Sequence, residues 1–201
     1  MRRGVPVYHH YNSYMRSFLK KIWLLLRIPK FKLRSSEVAL SSQIGKGVLI
    51  QDSKIGRFVH IGPGCIINNA EVGPYSSIAP HVQIGGLEHP YWEFSTSTFL
   101  SDKSIREKTF VGNDVWIGAS AIIKAGINLG DGSVIGANSF VNKDVPPYAI
   151  VVGSPAKIVK YRFPNDTIKT LEKSCYWKLD PIEAKKELKK IEENVTSQNE
   201  K

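Results

Sequence analysis

The sequence predicts an all-β solenoid, a coil of short parallel strands stacked into a triangular prism, with a helical tail behind it. Three observations predict it. Aliphatic residues recur at six-residue steps from Val38 onward, glycine follows most of them, and a small or β-branched residue usually stands four places after each. A six-residue step matches neither the helical period of about 3.6 residues nor the strict alternation of a simple meander. It matches one short strand plus one tight bend, three times per turn of a coil, and self-similarity at a fixed period marks a repeat architecture.

Val38, Ile44 and Ile50 form the first set, Ile55, Ile61 and Ile67 the second, and Val72, Ile78 and Ile84 the third, with equivalent members 17 residues apart. After an interruption the pattern resumes as Val111, Ile117 and Ile123, then Leu129, Ile135 and Val141, at an 18-residue period. Stacking such turns about 4.8 Å apart places Val38 over Ile55 over Val72, an aliphatic ladder filling the prism. Glycines such as Gly45, Gly62 and Gly118 free the backbone beside each ladder position. The place four residues on, as at Val48, Cys65 and Ala121, is a second inward slot near the corner that takes only a small side chain.

The repeat divides the chain into a basic amphipathic segment over 1–37, the coil over 38–160 and a helical tail over 161–201. Residues 90–109 interrupt the coil, and an insertion between stacked turns must leave as an external loop, where function concentrates. Glu88 stands where a small inward residue is expected, a broken local rule beside the loop. In the tail, 165–174 and 181–194 read as helices. Asp180 is the expected N-cap of the second, with Pro181 at the first position and Glu183 in capping-box register.

The chain has 28 Lys and Arg against 18 Asp and Glu, a net charge of +10, which favours anionic partners. Much of the excess sits near the ends, in RSFLKK, KFKLR and KKELKK, without aromatic interleaving, so nucleic acid is not an expected partner. The two cysteines, Cys65 and Cys175, make no disulfide framework, which fits a reducing, cytoplasmic compartment. Residues 15–28 (MRSFLKKIWLLLRI) are basic and apolar, yet shorter than the roughly 20 residues a membrane span needs. They read as a short amphipathic helix, capping the coil or resting on an anionic membrane face.

Against this background the segments VGNDVWIGASAIIKAG (111–126) and IGANSFVNKDVPPYAIVVGSPAKIVK (135–160) resemble the coenzyme-binding half of the hexapeptide-repeat acyltransferases. The resemblance is strongest to the branch of xenobiotic (streptogramin) and polysaccharide O-acetyltransferases, and the tail RFPNDTIKTLEKSCYWKLDPIE is similar as well. It implies a left-handed coil and a homotrimer with active sites between subunits. It also implies acetyl-CoA as co-substrate, no metal, and His89 as the catalytic base at the root of the extruded loop. Ala119, Ala137, Asn142, Lys143, Lys157 and Lys160 match the family's coenzyme-contacting positions; many relatives carry arginine at the last two.

The chemistry fits these residue types. A hydroxyl is a poor nucleophile at neutral pH, and imidazole is the natural base for its attack on a thioester. Backbone amides at glycine-bearing corners offer donors for the developing oxyanion, and lysines suit the coenzyme's phosphates. Cys65 falls in a core slot and Cys175 in the tail, so transfer is expected to be direct. Trp92, Glu93 and Ser95, on the loop, are the expected acceptor contacts. The text GGLEHPYWEFSTSTF is similar to loops of enzymes acetylating surface glycans, which makes a sugar or polysaccharide hydroxyl the expected acceptor. A streptogramin-type drug and an amino sugar are the alternatives, and a non-catalytic scaffold subunit is the non-enzyme one. A three-histidine metal site would need His60, His81 and His89 together; they fall on different faces, and His60 and His81 read as surface residues.

Overall fold

In a computed structural model, which describes residues 32–101, 103 and 106–199, the chain winds as a left-handed parallel β-helix. The basic apolar segment over 15–28 lies outside the described residues.

Three parallel sheets form the walls. Sheet A has six strands, β1 (Lys32–Arg34), β4 (Leu49–Gln51), β7 (Ile66–Asn68), β10 (Gln83–Gly85), β13 (Ile122–Ile123) and β16 (Phe140–Val141). Sheet B stacks five: β2 (Glu37–Val38), β5 (Lys54–Ile55), β8 (Ala70–Val72), β11 (Thr109–Val111) and β14 (Asn128–Leu129). Sheet C has seven: β3 (Gln43–Ile44), β6 (His60–Ile61), β9 (Ser77–Ile78), β12 (Trp116–Ile117), β15 (Val134–Ile135), β17 (Ala149–Gly153) and β18 (Ala156–Tyr161). β18 turns back antiparallel on β17 and closes sheet C. β1 pairs with β4 ahead of Val38, so the coil's pairing already begins at Lys32.

The register follows the repeat: Val38 pairs with Ile55 and Ile55 with Val72, Ile61 with Ile78, and Ile117 with Ile135. The aliphatic ladder is almost wholly dry, with Ile50, Ile61, Ile67, Ile78, Ile117 and Ile123 at 0% exposure. Each such side chain removes its apolar surface from water and fills the prism to near-crystalline density. Replacing Ile117 with alanine is expected to cost about 2–5 kcal/mol, because the stacked neighbours above and below cannot collapse into the void. Denaturant unfolding followed by tryptophan fluorescence measures it.

The outer faces differ. Sheet B carries Glu37, Lys54 and Glu71 outward, with Lys54 bridging Glu37 at 3.7 Å and Lys108 meeting Glu71 at 2.7 Å. Sheet A presents Leu49, Ile66, Ile122 and Phe140 in one column, interrupted by Gln83, and Ile66 and Ile122 are 43% and 42% exposed.

The tail folds as α1 (Asn165–Ser174), a single 3-10 turn over Tyr176–Lys178, and α2 (Pro181–Asn199), which extends beyond the span its periodicity predicts. Its apolar residues Ile168, Leu171, Trp177, Ala184 and Ile191 pack with Tyr148 into a second cluster against the corner between sheets B and C. Arg57 of the coil donates to the Lys178 carbonyl at 2.8 Å and to Asp180 at 3.2 Å, so the carboxylate expected to cap the helix instead ties the tail to the coil. Tyr176 donates to Asp114 at 2.6 Å, and burial is the main cause that raises its phenol far above the ordinary range. Burial likewise pushes Tyr148 up to about 12.

Candidate active site

The insertion leaves the coil at the end of β10. Gly85 and Gly86 both have positive φ, and a Cβ on Gly85 would lie 2.1 Å from the Asn68 carbonyl oxygen, so only glycine turns the chain out there. The chain returns at Thr109, which pairs with Ala70 and begins β11. Thr109 fills the small inward slot that the sequence pattern assigns to Glu88. Its hydroxyl accepts the Gly126 N–H at 3.2 Å and lies 3.4 Å from the Lys124 carbonyl. Glu88 instead turns outward and pairs with Lys124 of the next turn at 3.2 Å, which pins the root of the loop to the coil.

His89 follows directly, exposed at the corner between sheets A and B. Its Nδ1 lies 2.7 Å from the backbone carbonyl of Thr96, on the returning side of the loop's first bend. A carbonyl only accepts, so this bond requires a proton on Nδ1 and leaves the Nε2 lone pair free. The loop thus orients the ring and sets the tautomer a general base needs.

The loop's acceptor candidates fall into two kinds. Trp92 is exposed and stacks edge-on against Tyr91, with centroids 5.2 Å apart. Glu93 is turned to the loop's own architecture: one oxygen meets Lys103 at 2.6 Å and the other accepts from Ser101 at 3.1 Å. Those two hydrogen bonds, Lys103 first, hold its carboxyl below the usual range. Ser95 accepts the Ser97 N–H at 3.2 Å and tightens the bend. Sequence reasoning did not separate these roles, because loop-internal bonds leave no periodic signal.

The coenzyme candidates occupy three places. Ala119 and Ala137 stack on the corner between sheets C and A, where the Asn138 N–H donates to the Ala119 carbonyl at 2.9 Å. Small residues there leave the backbone uncovered, as an amide-rich pantetheine arm requires. Asn142 and Lys143 lie exposed at the A/B corner, above His89 along the coil. Lys157 and Lys160 stand exposed on β18. Among the described residues, none of these three lysines has a carboxylate within salt-bridge distance, so each can meet phosphate. Within one chain His89 and the alanine corner stand at opposite edges of sheet A, and the structure does not bring them together.

His60 is on the outer face of sheet C, while His81 sits at the C/A corner and His89 at the A/B corner.

Residues 108–143 match the family described as "Hexapeptide repeat of succinyl-transferase". A stretch of 69 residues is 55% identical to a chloramphenicol acetyltransferase of Agrobacterium fabrum, covering 34% of this chain and 33% of that protein. Another of 50 residues is 46% identical to the galactoside O-acetyltransferase of Escherichia coli K12, covering 25% of each. The matched stretch thus spans about a third or less of these curated relatives. The fold as a whole is similar to a hexapeptide-repeat-containing acetyltransferase of Vibrio cholerae O1 biovar eltor, solved with acetyl coenzyme A. That likeness has a TM-score of 0.58 at 21% identity and covers 81% of this chain and 94% of the other. With the repeat, the left-handed coil and these matches in place, the chain is similar in fold, and over residues 108–143 in sequence, to the hexapeptide-repeat acyltransferases.

Proposed function

We propose that the protein transfers an acetyl group from acetyl-CoA to a hydroxyl of a sugar or surface glycan, with His89 as general base. The observation that carries this reading is the 2.7 Å bond from His89 Nδ1 to the Thr96 carbonyl, which in the neutral ring puts the proton on Nδ1 and the lone pair on Nε2 at the root of the loop. Acetyl-CoA supplies the thioester. Nε2 takes the proton of the acceptor hydroxyl as its oxygen adds to the thioester carbonyl, and returns that proton to the sulfur as the C–S bond breaks. The products are an O-acetyl ester and free CoA thiol.

The site is incomplete in one chain, and a homotrimer completes it. Sheet A is the wall with the apolar outer column, flanked by the His89 corner on one side and the Ala119–Ala137 corner on the other. When three copies turn sheet A toward a common axis parallel to the coil, the His89 corner of each copy adjoins the alanine corner of the next. Rotation alone does this. Cyclic closure also buries the column of Leu49, Ile66, Ile122 and Phe140.

Lys143, Lys157 and Lys160 would take the coenzyme's phosphates. Replacing Lys157 and Lys160 together with alanine is expected to raise the KM for acetyl-CoA by about tenfold or more while leaving the acceptor's KM unchanged, the loss of charged hydrogen bonds to phosphate. Steady-state kinetics with each substrate varied in turn measures it.

A drug acceptor is the second reading, favoured by the names of the relatives: chloramphenicol acetyltransferases and a probable macrolide acetyltransferase. A thiol-release assay with acetyl-CoA against lactose, maltose, a nucleotide sugar, a capsular oligosaccharide, chloramphenicol and a streptogramin decides between them. Turnover confined to the drugs would replace the glycan reading. No thiol release with any of them would remove the transferase reading's support.

A further inference from the structure

The C/A corner is a ladder of residues in the left-handed region, with Gly47 at φ 75°, Gly64 at 72°, His81 at 60°, Ser120 at 58° and Asn138 at 56°. Glycine, asparagine and histidine all visit this conformation. His81 carries the ring of this ladder. Its N–H donates to the Pro63 carbonyl at 3.0 Å, and the Pro80 carbonyl before it accepts from Ser120 N–H at 3.0 Å, so the backbone is held from below and above.

The ring lies over Gly64 of the turn below. A Cβ at position 64 would stand 2.5 Å from His81 Nδ1 and 2.7 Å from Cε1, so the bare glycine is the seat of the ring. His81 is exposed, and among the described residues no side chain or backbone group hydrogen-bonds to its ring, in contrast to His89.

Its level on the coil matters most. His81 ends the bend before β10 (Gln83–Gly85), and His89 follows the same strand. The two histidines therefore stand on one turn of the coil, at opposite edges of sheet A. In a three-fold assembly about an axis parallel to the coil, equivalent turns share one level. His81 of each copy then faces His89 of its neighbour across the cleft, one turn below Ala119.

We propose that His81 binds the acceptor, its ring hydrogen-bonding a hydroxyl of the molecule whose reacting hydroxyl is held against His89 of the adjacent copy. The inference rests on the transferase reading and on the trimer. It commits the acceptor to being a polyhydroxylated molecule, since a ring nitrogen on the far wall needs a second polar group on the acceptor. Gly64 below the ring carries no side chain, and the exposed Ser120 above it adds a second hydroxyl that a polyhydroxylated acceptor can meet.

The test is kinetic, on the full-length assembled protein, with lactose, maltose, a nucleotide sugar and chloramphenicol as acceptor probes. His81→Ala is expected to raise the KM of the acceptor that turns over by about tenfold, the size of one lost hydrogen bond. The KM for acetyl-CoA and the melting temperature stay at their wild-type values. His81→Asn, which keeps a hydrogen-bonding group and tolerates the left-handed corner, restores most of the loss. Gly64→Ser, which displaces the ring without removing it, raises the acceptor KM in the same direction.

An unchanged acceptor KM in His81→Ala overturns the inference while leaving His89 as the base. An equal rise in both KM values, or a lowered melting temperature without rescue by asparagine, also overturns it, in favour of a structural role. Full activity in His89→Ala removes the base, and a monomeric active enzyme removes the trimer; either takes this inference with it.

Discussion

Replacing His89 with alanine is expected to lower turnover by about 10²- to 10⁴-fold, the contribution of a positioned general base. The thermal melt should not move by more than the shift that about 0.5 kcal/mol produces, because the ring is exposed and its hydrogen bond among the described residues is to the loop's own Thr96 carbonyl. Thiol release from acetyl-CoA, measured beside circular dichroism, separates the two effects. The KM for acetyl-CoA should hold, since Lys143, Lys157 and Lys160, proposed to take the phosphates, lie off the loop. An enzyme that kept most of its turnover without this imidazole would overthrow the mechanism, whatever its acceptor.

The next largest effect is expected from the outer face of sheet A. Ile66→Asp combined with Ile122→Asp puts two carboxylates into a column otherwise formed by Leu49, Gln83 and Phe140. In the proposed trimer these charges would be desolvated without partners, at a cost of several kcal/mol per ion. In the separated chain they face water, and the inward ladder is untouched. Light scattering should therefore report monomers, circular dichroism an intact coil, and the thiol assay a loss as deep as that of His89→Ala. Monomers with full turnover would mean that one chain holds a whole site, contrary to the separation of His89 from the alanine corner.

The coil was legible in the sequence because every turn asks the same thing of equivalent positions. Ile50, Ile67, Ile84 and Ile123 meet the same dry surroundings, so the demand is written repeatedly and noise averages out. Handedness was not written there: six-residue steps are compatible with either sense, and only resemblance chose. The loop's exit was visible as a break in the pattern, but its splice was not. Thr109 takes the inward slot that counting along the chain assigns to Glu88, because the chain rejoins the coil by stacking register and not by residue number.

The site itself was half legible. His89 could be picked out by its place, whereas the group that orients it is a main-chain carbonyl, which no side-chain identity announces. His81 read as a surface residue and is exposed; its place on the same turn as His89 follows from the two flanking one strand, β10. The tail's anchoring was hidden for a similar reason: Arg57 and Asp180 meet only after the whole coil has been wound.

The splice at Gly85 and Thr109 makes recognition and scaffold separable. The turns on either side pair directly, β10 with β7 and β13, β11 with β8 and β14, and no hydrogen bond of these ladders passes through the excursion between them. Lengthening such an excursion adds only slowly to its closure entropy. Under the proposed transferase reading, new acceptors would be accommodated by rewriting the residues between two fixed posts, while the wall behind them, and the imidazole rooted beside the first post, keep their places.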